Sequence, residues 1–130
     1  MGKGLNDYFF DTYALHEIEE GSGNYFQFSK EVGIVTTTLN LMELYYSYFV
    51  KKGLAAAELA FSHFRPFCVE VADEILKEAA AMRAHLKTKS SKSNLSYVDC
   101  IGYVMAKKLK VKFLTGDREF EGLDNVEFVK

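Results

Sequence analysis

Cysteine, proline and net charge are all scarce in this chain of 130 residues. Its two cysteines, Cys68 and Cys100, stand 32 positions apart, which excludes a disulfide-stapled secreted module and a Cys-x-x-Cys metal clamp. A reduced, cytoplasmic setting is the expectation. Pro66 is the only proline, and no internal repeat or low-complexity tract divides the sequence. The formal net charge is −2, from 16 Lys and Arg against 18 Asp and Glu. That balance excludes a protein that coats nucleic acid by overall positive charge, though not one with a local basic face. Long apolar runs are missing too: Asp7 and Asp11 interrupt the N-terminal stretch where a signal peptide or membrane span would need continuity, so no membrane partner is expected.

What the chain has in quantity is apolar and aromatic side chain: 48% hydrophobic residues, with 11 Phe and 8 Tyr. This is enough for a real core, and the length suits one domain over residues 1–130. Tyr8-Phe9-Phe10 reads as a first strand and Gly33 to Thr36 as a second. Phe67 to Val71 reads as a third strand, Val111 to Leu114 as a fourth and Val126 to Val129 as a fifth. Helical stretches fall between them at Tyr13 to Glu20, from a Thr37 or Thr38 cap to Lys52, Leu54 to Phe64, Asp73 to Leu86, and Tyr97 to Leu109. Lys87 to Asn94 reads as a polar loop, and the segment from Gly21 to Glu31 carries no clear pattern. Strands alternating with helices predict the α/β class: a three-layer α/β/α sandwich around a central, mostly parallel sheet.

In such a sheet, ligands bind beyond the carboxyl ends of the strands. Asp11 follows the first strand there, and Asp117 follows the fourth within Thr115-Gly116-Asp117. Glu43 belongs to a helix apolar nearly all round, on its one polar stripe of Asn40, Glu43, Ser47 and Lys51. Asp99 lies three residues after Ser96. Each acid has an ordinary alternative: an N-cap for Asp11, a solvated edge for Glu43, a capping box for Asp99, a turn for Asp117. If the four converge, their mutual repulsion calls for a divalent cation, and carboxylate-only ligation is the Mg²⁺ or Mn²⁺ pattern.

Phe9-Phe10-Asp11-Thr12-Tyr13-Ala14-Leu15 resembles the opening of PIN domains, where a strand ends in Asp-Thr or Asp-Ser. Glu43 takes the place of that family's helical glutamate, and Leu95-Ser96-Tyr97-Val98-Asp99 is similar to the start of its late helix. Phe113-Leu114-Thr115-Gly116-Asp117-Arg118-Glu119-Phe120 resembles its terminal Thr-x-Asp segment. Tyr13 departs from the pattern, since many members carry Asn there. The resemblance covers essentially the whole chain in order. It implies a Mg²⁺- or Mn²⁺-dependent endoribonuclease of the kind found as the toxin in toxin–antitoxin pairs, with Asp11, Glu43, Asp99 and Asp117 as metal-binding catalytic residues. Thr12 and Thr115 would orient those carboxylates. It also implies an antitoxin partner and a homodimer.

Between residues 77 and 112, nine bases face two acids, a local net of +7. Lys87, Lys89, Lys92, Lys107 and Lys108 are the candidate contacts for single-stranded or structured RNA, or else a solvated surface. Tyr45, Tyr46, Tyr48, Phe49, Phe61 and Phe64 exceed what one small core readily buries, a second pointer to a dimer. His16, His63 and His85 lack metal-ligand spacing, and no nucleophile elbow or phosphate loop occurs. The competing expectation is a non-catalytic PIN-like module that binds RNA or protein.

Overall fold

The computed structural model describes residues 7–30, 32–90 and 94–130. Lys92, one of the candidate RNA contacts, lies outside them. Four strands form one sheet: β1 (Asp7–Phe10), β2 (Gly33–Val35), β3 (Lys112–Thr115) and β4 (Val126–Phe128), in the order β2-β1-β3-β4. Every pairing is parallel, so all carboxyl ends share one edge. The registers set Phe9 beside both Val35 and Phe113, and Phe10 beside Leu114.

Side chains alternate across a strand, and here the alternation divides the core in two. Phe9 and Phe113 face one layer, where they meet buried residues of α4 (Asp73–Lys89) and α5 (Tyr97–Leu109), such as Ala79, Ile101 and Val104. Phe10 and Leu114 face the other, against α1 (Thr12–Glu20), α2 (Thr38–Lys52) and α3 (Leu54–Phe64) through Leu15, Leu41, Leu44 and Ala60. The result is the expected three-layer sandwich. Gly102 lets α5 approach the sheet, because a Cβ there would lie 2.8 Å from the Phe9 ring.

The expected strand over Phe67 to Val71 does not form. Arg65–Phe67 is a 3-10 turn around Pro66, and only Cys68 bridges the sheet, opposite Thr36. The cause is the shortness of β2: after Thr36 its chain turns into α2, so a fifth strand has no backbone edge to follow beyond the bonds Thr36 N–H to Phe67 O and Val69 N–H to Thr36 O. The unpatterned segment contains a 3-10 helix, Gly23–Phe28, which the Tyr25 hydroxyl ties to Val129 O at 2.6 Å. Helix α4 runs to Lys89 rather than Leu86, leaving a shorter connection to α5. Of the aromatic surplus on α2 and α3, Tyr48 and Phe64 are buried, whereas Tyr46 and Phe49 stay open. No helix among the described residues is long and apolar enough to cross a membrane.

Candidate active site

Each acid singled out in the sequence reaches the carboxyl edge of the sheet on a different element. Asp11 leaves β1 and caps α1, its Oδ1 accepting from Ala14 N–H at 2.8 Å. Its Oδ2 accepts from the Thr115 hydroxyl at 2.5 Å, so the end of β3 clamps the end of β1. Asp117 follows two residues later: its N–H donates to Thr115 Oγ1 at 3.0 Å and its Oδ1 caps the turn Arg118–Phe120 by accepting from Glu119 N–H at 2.9 Å. The Thr115 hydroxyl therefore holds Asp11 by donating to its carboxylate and Asp117 by accepting from its backbone N–H. The bend between them requires Gly116, where a Cβ would sit 2.2 Å from the Tyr13 ring and 2.6 Å from Val129 O.

Asp99 arrives on the first turn of α5 in a reciprocal capping box. Its N–H donates to Ser96 Oγ at 3.1 Å, and Ser96 N–H donates to Asp99 Oδ2 at 2.9 Å. Glu43 comes from α2 and has no capping task. A directed chain of hydrogen bonds fixes it instead: Thr37 O–H to Asn40 Oδ1 at 2.7 Å, Asn40 Nδ2 to Thr12 Oγ1 at 3.1 Å, and Thr12 O–H to Glu43 Oε1 at 2.6 Å. Thr12, expected to orient a carboxylate, is bonded to Glu43, and Thr115 to Asp11.

Asn40 and Thr37 join the candidate site through these bonds, although neither is among the residues expected there from the sequence. The signal was present, because Asn40 opens the polar stripe that contains Glu43 and stands one turn before it. At 2% exposure Asn40 is inside the protein, so this end of the stripe is no solvated edge.

The electrostatics agree with the placement. Asp11 is 3% exposed, and burial pushes its carboxyl from 3.8 up to about 7, with Asp99 and Asp117 adding repulsion against the Thr115 and Ala14 bonds. Burial also raises Asp99, aided by Asp117 and Glu119, and raises Glu43, aided by Asp99. Among the described residues none of the four acids forms an ion pair with a basic side chain. Four hard-oxygen donors that repel one another and have no cationic partner suit a divalent cation. In their present arrangement, no three His, Cys, Asp or Glu side chains among the described residues are grouped to hold an ion.

The basic stretch divides in two. Helices α4 and α5 run antiparallel, Lys108 of the last turn of α5 pairing with Glu78 near the start of α4 at 2.9 Å. Lys87 and Lys89, at the end of α4, therefore share an end with Asp99, as does Arg83, whose Nε donates to Leu95 O at 3.2 Å. Lys107 and Lys108 stand about 12–14 Å further along α5 at 1.5 Å per residue, and Lys107 pairs with Asp124 at 3.0 Å. The fold does not bring those two lysines to the acids.

Comparison with known proteins gives the same outline. Its structure resembles VapC20 of Mycobacterium tuberculosis, a toxin that cleaves the sarcin–ricin loop, with a TM-score of 0.74 at 16% identity over 95% of this chain and 99% of that one. It also resembles VapBC2 of Rickettsia felis, bound to a DNA fragment from its promoter, with a TM-score of 0.72 at 16% identity over 95% and 99%. A toxin–antitoxin complex from Klebsiella pneumoniae aligns with a TM-score of 0.69 at 18% identity over 92% and 95%. No curated protein matches by sequence. The PIN domain family profile matches residues 8–126, which spans every strand from β1 to the start of β4 and all four acids. This chain belongs to the PIN domain family.

Proposed function

We propose that this protein is a Mg²⁺- or Mn²⁺-dependent endoribonuclease and the toxin of a toxin–antitoxin pair. The observation that carries the reading is the convergence of Asp11, Glu43, Asp99 and Asp117 from separate elements onto one sheet edge. They are partly or wholly buried and electrostatically coupled, and no base among the described residues neutralises them.

These four side chains would hold the ion, which when bound would supply an activated water and neutralise charge on the scissile phosphate. The protein's part is positioning. Thr115 and the Ala14 N–H hold both Asp11 oxygens, so that carboxylate keeps one orientation. Asn40 and Thr12 aim Glu43 in the same way, an arrangement typical of the outer contacts that tune metal sites. Lys87, Lys89 and Arg83 border the acids on the α4 side and attract the phosphate backbone.

Two of the similar structures are toxin–antitoxin assemblies, which supports an antitoxin partner here. A homodimer is supported by the apolar side chains around the α2–α3 junction, Phe49, Val50 and Leu54, all at least half exposed. Light scattering at micromolar concentration tests it, and a monomer refutes it. The neighbouring reading frame tests the antitoxin: a small adjacent antitoxin gene is expected.

The catalytic reading is tested with labelled RNA in Mn²⁺, Mg²⁺ or EDTA. Cleavage is expected only with metal, and Asp11→Asn binds without cutting. Metal-independent cleavage, or full activity in both Asp11→Asn and Asp99→Asn, overturns it.

A further inference from the structure

The acidic edge continues beyond its carboxylates. Glu43 and Thr12 share a cleft of about 500 Å³ with Met42 and Tyr46, a volume in the range of small-ligand sites. Met42 is 58% exposed and Tyr46 70%, although Leu41, Leu44 and Tyr48 of the same helix turn inward and are buried. The hydroxyls of the neighbouring Tyr45 and Tyr48 are bonded to Glu58 and Glu20. Among the described residues Tyr46 has no hydrogen bond and no ring contact. Its ring stands one turn from Glu43 and one turn from Met42, so a large open aromatic adjoins the acids on one side.

A second one adjoins them on the other. Tyr97 begins α5 two positions before Asp99 and is 60% exposed. The Arg83 guanidinium lies over its ring, 4.4 Å from the centroid, and is pinned there by its bond to Leu95 O. The two flanks differ in charge. The Tyr46 cleft is walled by a carboxylate and by no basic side chain, so it repels a phosphate and suits the face of a neutral ring. The Tyr97 flank carries Arg83, with Lys87 one turn further along α4.

We infer that Tyr46 and Met42 form a base-stacking platform on one side of the acids, taking an unpaired nucleobase of the RNA, while Tyr97 and Arg83 hold the adjoining nucleotide on the other. The inference rests on the nuclease reading for the role of the acids. Stacking on an aromatic accepts any base, because every base has a π face. In a duplex both faces of a base are already covered, so the same sequence in double-stranded form is a poor ligand.

The chain contains no tryptophan, so Tyr46→Trp in an Asp11→Asn background provides a single fluorophore at the platform. A short RNA oligonucleotide is titrated into it in Mg²⁺, alone and annealed to its complement. The single strand is expected to quench the emission and the duplex to leave it nearly unchanged. In the same background Tyr46→Ala is expected to raise the Kd for the single strand about tenfold, the size of one lost stacking contact, while Tyr46→Phe keeps the affinity. Undisturbed emission, an unchanged Kd in Tyr46→Ala, or duplex binding as tight as single-strand binding overturns the inference. Loss of self-association in Tyr46→Ala with RNA binding intact overturns it in favour of a protein contact. The two readings fail separately: Tyr46-dependent binding by a parent chain that cuts no RNA in Mn²⁺ upholds the platform and sinks the nuclease, and the opposite pair of results does the reverse.

Discussion

In EDTA, raising the pH from about 5 to about 7.5 is expected to destabilise this protein, the reverse of what paired carboxylates do. Burial, with help from Asp99 and Asp117, pushes the Asp11 carboxyl from 3.8 up to about 7. In the unfolded chain the same group titrates near its ordinary value. Between these limits the folded state keeps a proton that the unfolded state has released, so stability is fully present below about pH 4 and is lost as the pH passes about 7. At 1.36 kcal/mol per pH unit, the part of the displacement from 3.8 to about 7 that lies above about pH 5 corresponds to an upper bound of about 3 kcal/mol. For a domain of this length that lowers Tm by at most roughly 10 °C. Glu43 and Asp99, also raised first by burial, act in the same direction. Glu20 and Asp124 are held down by their Tyr48 and Tyr103 hydrogen bonds and act oppositely, but only below the ordinary carboxylate range. Calorimetry across the pH series reads the slope directly. Millimolar Mn²⁺ at the alkaline end is expected to restore Tm, because it binds the ionised folded state, and Asp11→Asn is expected to lose most of the slope. A Tm in EDTA that stays level or climbs over this range, or an unchanged slope in Asp11→Asn, refutes the reasoning.

Three further outcomes follow from the same geometry. Asn40→Ala removes the link between Thr37 and Thr12 and is expected to lower RNA cleavage by about 10- to 100-fold with an unaltered circular dichroism spectrum; activity within twofold of the parent counts against the positioning role. Gly116→Ala forces a Cβ to within 2.6 Å of Val129 O as well as into the Tyr13 ring, which is expected to cost about 1–3 kcal/mol in urea unfolding. Lys87→Ala and Lys89→Ala are each expected to reduce the slope of log K against log salt for RNA by about one. Lys107→Ala and Lys108→Ala, at the far end of α5 and ion-paired, are expected to leave it alone; equal effects from both pairs contradict the division of the basic stretch.

The positions of the four acids were more legible in the sequence than parts of the fold were. Asp11 and Asp117 sit beside strongly patterned strands, so a local reading places them at strand ends, and a parallel sheet then does the rest. Ser96 and Asp99 announce their capping box at the right spacing. Local pattern fails where distant contacts decide. Gly23–Phe28 is held by Tyr25 to Val129 and by Asn24 to Lys130 O, partners more than 100 residues away. Phe67 to Val71 has strand-forming side chains but only one residue pair of sheet edge to join. The stripe of Asn40, Glu43, Ser47 and Lys51 fits a solvent edge or the wall of a polar cleft equally by its spacing, and burial decides at one end only, because α2 enters the protein at its N-terminus and Asn40 lies in the interior. The nine bases between residues 77 and 112 form one run in sequence, and the antiparallel turn from α4 to α5 sends Lys87 and Lys89 to one end of the sandwich and Lys107 and Lys108 to the other.

The capping roles explain the positions of three of the acids without explaining their charge. Asp11, Asp99 and Asp117 each accept a backbone N–H at the start of a helix or turn, and Asn or Ser does this as well as Asp at an N-cap. With Asn at these places the caps would survive, and the burial and repulsion that raise Asp11 and Asp99 would vanish. Selection for stability alone therefore favours the neutral residue at the most buried of them, Asp11. Glu43 sharpens the point, since it caps nothing, is raised by burial, and is nonetheless served by an oriented chain of three hydrogen bonds from Thr37, Asn40 and Thr12. A fold that holds these carboxylates in fixed orientations, against its own stability, stores a cost that a proton on Asp11 relieves below about pH 7 and that a bound cation would offset above it.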